Sequence, residues 1–356
     1  LLASSASAVS AQTFFDGIAP GEWAEVPNTK LEHHLPDPLP PNWGGPETIM
    51  GAWSGGAYDT KRDRLIVWGG GHADYAGNEL YVFDVNELVW SRFWGPSPEF
   101  PDIEGGGVEA YDDGNPSSRH TYDGLEYIES VDRFWSQGGS VFPSGEVSFG
   151  TWTFDFTTKT WERKGDAPDS TIGVVSAYDS VTGHVFHQGV SVFSEYDAEA
   201  DRYTTRGEIP EGVWEDKRTA EIDPVRRLFV GVGQGYVDQW DLKSWRRKRL
   251  ATKGGKPIVD GNAPGFAYDP LRKCFVAWNG GPDVYTLDME TLSWTRHQSD
   301  QRGGSVPDDI SAWGTYGRFR YVASKDVFIA VDAINENVFF YRMPERGACE
   351  SMISVR

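Results

Sequence analysis

The chain has 356 residues, with 15 tryptophans, 41 glycines and a formal net charge of −20. Carboxylates in that excess exclude a reader of nucleic-acid phosphates and a binder of anionic membrane surfaces. No apolar run is long enough for a membrane-spanning helix, and the aromatic and glycine content suits short strands joined by tight turns.

In chain order, the segment Leu1–Gln12 comes first. It reads either as the end of a secretory signal, with small residues at Val9-Ser10-Ala11 before Gln12, or as a tail covering residues 1–20 that docks on the body of the protein or on a neighbouring subunit. Export to a secreted, extracellular, periplasmic or surface-associated location follows from the first reading. Residues 21–356 read as one domain, within which residues 32–48 form a proline-stiffened connector.

A repeat then begins. An aromatic–Asp pair precedes a charged turn, an apolar strand ends in Gly-Gly, a second aromatic–Asp pair follows, and a Trp-bearing strand closes the unit. The clearest copy runs from Ala57-Tyr58-Asp59 through Val67-Trp68-Gly69-Gly70-Gly71 and Tyr81-Val82-Phe83-Asp84 to Val89-Trp90. Further copies cover residues 119–164, with His120-Thr121-Tyr122-Asp123 read as the first strand, then 173–206, 217–250, 264–297 and 312–344. A period of this length built of four short strands predicts an all-β propeller. The last copy lacks its Trp strand, and Glu22-Trp23-Ala24-Glu25-Val26 has the pattern that is missing, so the N-terminal strand is expected to complete that blade and close a six-bladed ring. Seven blades would follow if residues 95–118 or 30–50 held a divergent sheet.

With its Gly-Gly endings at Gly69-Gly70, Gly138-Gly139 and Gly280-Gly281, its aromatic–Asp pairs and its Trp strands, the repeat region resembles the kelch family of β-propellers. The resemblance implies a fold and leaves function open, because such rings serve enzymes, receptors and scaffolds. The copper-oxidase arrangement known on kelch rings is rejected, since Cys274 lies in the second strand of the fifth unit. Cys274 and Cys349 are the chain's two cysteines. Cys274 reads as a small core residue, and spacing does not decide whether the two pair.

In a propeller, the loops after the second and fourth strands share one face. The long insertions His72–Glu79, Trp94–Ser118, Gln137–Thr151, Gly207–Lys217, Ala251–Pro264 and Gln298–Ser311 all fall there, which makes that face the candidate site. Two classes of function suit its contents. A recognition ring for a glycan or a protein partner, alone or in a surface assembly, would use Asp74, Asn78, Glu79, His187, Gln188, Gln234, Tyr236, Trp214 and Trp313, with sugar rings stacking on aromatic faces. A polysaccharide lyase performing β-elimination would use His120 as base, with His72 beside it near the channel, Tyr75 or Tyr122 as acid, and Arg119 or Arg218 to neutralise a uronate carboxylate. The recognition ring is favoured, because no catalytic constellation stands out in the sequence, and the acidic chain, which repels a polyanion, counts against the lyase. No cofactor is expected. Asp74, Asn78 and Glu79, or Asp112-Asp113-Gly114-Asn115, offer oxygens for calcium, but without the spacing of a calcium loop.

Overall fold

A computed structural model describes residues 10–169, 172–209, 216–299, 305–308, 310 and 312–344. Its strands form six antiparallel four-stranded sheets, the blades of a propeller. Blade 1 holds Gly56–Asp59, Arg64–Val67, Leu80–Asp84 and Val89–Trp94, and blades 3, 4 and 5 repeat the order inner to outer. In blade 6 the strand Trp23–Val26 is outermost and pairs antiparallel with Val338–Tyr341, Trp23 opposite Tyr341. The ring is therefore closed by the N-terminal strand. Residues 95–118 contribute only the isolated bridge Ala110–Pro116 and residues 30–50 two short helices and the bridge Asn42–Tyr75, which leaves no seventh blade there.

The recurring aspartates have a common physical role. Asp84, Asp155, Asp197, Asp241 and Asp288 each accept backbone N–H groups from the residues two and three positions later, which ties the turn into the outer strand. Asp59, Asp223 and Asp269 do the same in the inner hairpin, and the arginine three residues on pairs with each at 2.7–3.0 Å. Arg62 then reaches Asp132 of blade 2, and Arg272 reaches Asp326 of blade 6. One hairpin motif thus both shapes a blade and joins it to the next.

Blade 2 corrects the expected register. Its inner strand is Leu125–Ile128, not His120–Asp123, and Tyr127 is the residue equivalent to Tyr58. The reason is the turn: Asp132 takes a left-handed conformation and accepts the Tyr127 hydroxyl at 2.7 Å, as Asp63 accepts that of Tyr58 at 3.1 Å. Arg119–His120 is freed from the blade and pairs with Ser140–Val141 in a separate two-stranded ribbon.

Hydrophobic clusters fill the spaces between blades, and the segment from residue 10 adds to one of them. Phe15 is buried edge-on against Phe340, and Arg342 donates to the carbonyls of Phe15 and Ile18. Residues 1–9, on which the signal or docking reading mainly falls, lie outside the described residues. Cys274 is buried and disulfide-bonded, and Cys349 lies outside the described residues. Among the described residues, no helix is long and apolar enough to cross a membrane.

Candidate functional site

The loops after the second and fourth strands meet on one face, and six entry segments converge over the channel. Trp53, Tyr122, Ile172, Ala263 and Tyr316 pack together there, and the Tyr316 hydroxyl donates to the Asp216 carbonyl at 2.6 Å. This plug holds the entry loops in fixed positions.

Glycines bring His120 to the plug's edge. Gly70 N–H donates to the Arg119 carbonyl, and a Cβ on Gly71 would lie 1.8 Å from Arg119 Cα. On the other side Gly139, at φ 88°, would place a Cβ 2.3 Å from the His120 carbonyl. The Gly-Gly endings of blades 1 and 2 thus form a slot only glycine permits, and the Arg119–His120 ribbon runs through it.

Three side chains from the expected set come together. His120 Nε2 lies 2.7 Å from Asp74 Oδ2, and the rings of His72 and His120 are 5.1 Å apart. His72 and Ala73 adopt left-handed backbone angles, φ 35° and 46°, which are costly for residues with a Cβ. The turn is held by Ala73 N–H to the Pro143 carbonyl, and the connector grips it through Trp43 N–H to the Asp74 carbonyl. Burial, then the neighbouring His120, lowers the pKa of His72. Beside this trio Trp53 faces His120 at 5.1 Å and stacks on Trp313 at 4.0 Å, and Trp313 is 40% exposed. Trp53, which lies between the helix Thr48–Gly51 and Gly55-Gly56, is not among the residues the sequence points to.

The remaining expected residues are buried or committed to other partners. Tyr122 is buried, edge-on to His120 and Tyr316, and burial raises its phenol pKa. Tyr75 is buried, donates to Glu79 at 2.5 Å, and is likewise pushed up by burial and then by Glu79. Asn78 is buried against Ser97 and the Pro116 carbonyl. Asn78 and Glu79 are therefore committed to the core rather than to an ion with Asp74. Asp113 accepts its own turn's Asn115 N–H. Arg119 is buried with Glu109 at 3.2 Å, and Arg218 is buried with Asp238 and over the Tyr236 ring. Neither guanidinium reaches the surface to clamp a carboxylate. Gln188 accepts from Trp240, and Gln234 donates to Asp216. Trp214 lies outside the described residues.

His187 is fully buried in blade 3, and neither ring nitrogen has a hydrogen-bond partner. Burial pushes its pKa down to about 4. The unfolded histidine, near 6.5, takes a proton first as pH falls, so stability should be full above pH 6.5, fall by roughly 3 kcal/mol on going to pH 4, and level off below. Urea denaturation from pH 7.5 to 4 should show this slope in the wild type and its loss in His187→Gln; parallel curves for the two proteins would contradict it.

The opposite face holds a cavity that the sequence does not point to. It has a volume of about 240 Å³ and opens on the short-turn face, ringed by Tyr58, Tyr127, Tyr178, Tyr268 and Tyr321. Arg320 of blade 6 reaches Glu126 of blade 2 at 3.3 Å and Glu221 of blade 4 at 3.4 Å in its lining, tying alternate blades across the channel. Each charge occupies a position where blades 1, 3 and 5 have Ala57, Ala177 and Ala267, a substitution pattern visible in the repeats.

No family model matches the sequence, and no curated protein matches it. Among solved structures, a structural-genomics protein of unknown function from Bacteroides thetaiotaomicron aligns over 94% of this chain and 74% of its own, with a TM-score of 0.51 at 11% identity. At that identity the likeness is one of fold, and the chain is a six-bladed β-propeller.

Proposed function

We propose that the protein is an exported, kelch-type ring that recognises glycan through its long-loop face. The observation that carries this reading is the stacked Trp53–Trp313 pair, part-exposed at the plug and adjoining His120 and Asp74. A flat indole offers the apolar face of a sugar a stacking surface, and the carboxylate and imidazoles beside it offer hydrogen bonds to hydroxyls. The plug and the glycine slot fix these groups in advance, which reduces the ordering cost of binding.

A uronate lyase is the second reading, favoured by one feature: His120 is oriented by Asp74 beside His72 and Tyr122, as a general base requires. It lacks the expected arginine clamp, because Arg119 and Arg218 are both buried in ion pairs.

One experiment addresses both. Neutral and uronate polysaccharides are titrated calorimetrically, and unsaturated-uronate absorbance is followed in parallel. The expected result is binding without absorbance change, weakened about tenfold by Trp313→Ala, equivalent to roughly 1.4 kcal/mol of lost stacking. Affinity unaffected by Trp313→Ala would move the site away from the indole pair, and absorbance growth would establish the lyase.

A further inference from the structure

We propose that His72, Asp74 and His120 form a binding site for one first-row divalent transition metal ion, of the Zn²⁺ class, at the edge of the channel plug. One potential ligand atom from each residue lies within 4.8 Å of the others. Two imidazoles and a carboxylate are the donor set that such ions take, and it leaves a coordination position for water or a ligand oxygen. Calcium and magnesium prefer all-oxygen shells, so this set discriminates against them.

The geometry needs adjustments of about 1.5 Å or less, since ligand atoms no more than 4.8 Å apart must come to about 3.3 Å. Ligands on a tetrahedral ion with bonds of about 2.0–2.1 Å stand about 3.3 Å apart, so the 2.7 Å His120–Asp74 contact would open by about 0.6 Å. The three residues are also held from independent directions. His120 lies in the ribbon paired with Ser140–Val141, and His72 and Asp74 lie on the left-handed turn secured by Pro143 and Trp43. The Trp53 ring covers one side of His120, while the Asp74 side chain is 29% exposed, so the ion would be seated against an apolar wall with its outer side reachable. The net charge of −20 favours accumulation of cations at the surface.

The site belongs to the same mouth as the glycan reading, and a bound ion there would coordinate a sugar hydroxyl or carboxylate. Only that use rests on the glycan reading; occupancy by the metal alone does not. The test therefore contains no sugar. The full chain is stripped with chelator and titrated calorimetrically with Zn²⁺, with Ca²⁺ as control, and Co²⁺ absorption spectra report nitrogen and oxygen ligation. The expected result is one equivalent of Zn²⁺, no Ca²⁺ binding, and a loss of affinity greater than about 100-fold in His72→Gln and His120→Gln, beyond the effect typical of an outer-shell group. The pair His33 and His34, the first exposed and the second half-buried, supplies the control: His33→Gln/His34→Gln should bind as the wild type does. Circular dichroism of each apo variant checks that it folds, and Asp74→Asn supplies a further ligand variant should either histidine variant fail to fold. No Zn²⁺ binding by the wild type, or binding that survives His72→Gln and His120→Gln but is lost in the His33/His34 variant, would overturn the assignment.

Discussion

A chain shortened to begin at residue 28 is expected to lose more than about 5 kcal/mol of stability and to aggregate, because that loss is comparable with the whole stability of a typical domain. The deletion removes the outer strand of blade 6 and leaves Val338–Tyr341 as an open edge. It also removes Trp23, which is buried against Trp278 of blade 5 and Tyr341 and donates to the Pro282 carbonyl at 3.0 Å. Phe15 and Ile18 leave the core cluster that includes Phe340. Trp23→Ala alone should cost about 3–5 kcal/mol, within the range for a buried aromatic truncated to alanine. A synthetic peptide of residues 10–30 added during refolding should restore soluble, cooperative unfolding to the shortened chain. A shortened chain that stays soluble and melts within a few degrees of the full chain would show that the ring does not depend on this closure.

That closure was legible in the sequence because it follows from two local patterns: a last repeat without its Trp strand, and a Trp strand without a repeat. The blades were legible for a similar reason. The aspartate that ends the third strand of blades 1 to 5 binds the next turn's N–H groups, so the chemistry of the turn leaves a fixed mark on the sequence. Blade 2 was misread where that mark is ambiguous. Tyr122-Asp123 copies the pattern, but Tyr127 with Asp132 makes the turn, and Asp123 instead accepts the Ala220 N–H of blade 4 at 2.8 Å. Candidate residues separated along the same line. His72, Asp74 and His120 lie beside glycines whose lack of a Cβ lets two loops approach, and they meet. Arg119 and Arg218 look equally available in sequence, but each is buried with a carboxylate from another loop or a neighbouring strand, and such pairing leaves no local trace, while Glu79 is buried under its sequence neighbours Tyr75 and Tyr81.

The charges lining the channel give the other large effect. Arg320→Met should destabilise the protein by about 3–5 kcal/mol, the cost of leaving buried carboxylates without their cation. Arg320 is buried and serves Glu126 and Glu221, and it also donates to the Gly317 carbonyl at 3.1 Å. Burial already pushes Glu126 up to about 7 even with the guanidinium in place, and Glu221 is raised by the same cause. Without Arg320 both rise further, so the folded variant holds protons that the unfolded chain releases near pH 4.3. Its deficit should therefore be smallest at or below that pH and should grow as pH rises through 7. Adding Glu126→Gln and Glu221→Gln to Arg320→Met should restore most of the stability and reduce the pH dependence of the deficit, leaving Asp123 as the buried carboxylate that still feels the loss of Arg320. Guanidinium denaturation at pH 4.5, 6 and 8 of the wild type, the single variant and the triple variant would measure all three effects. A loss below about 1 kcal/mol at pH 8, or a loss that does not change with pH, would mean that water entering from the short-turn face already screens these carboxylates and that the cation linking blades 2, 4 and 6 does not hold the ring together.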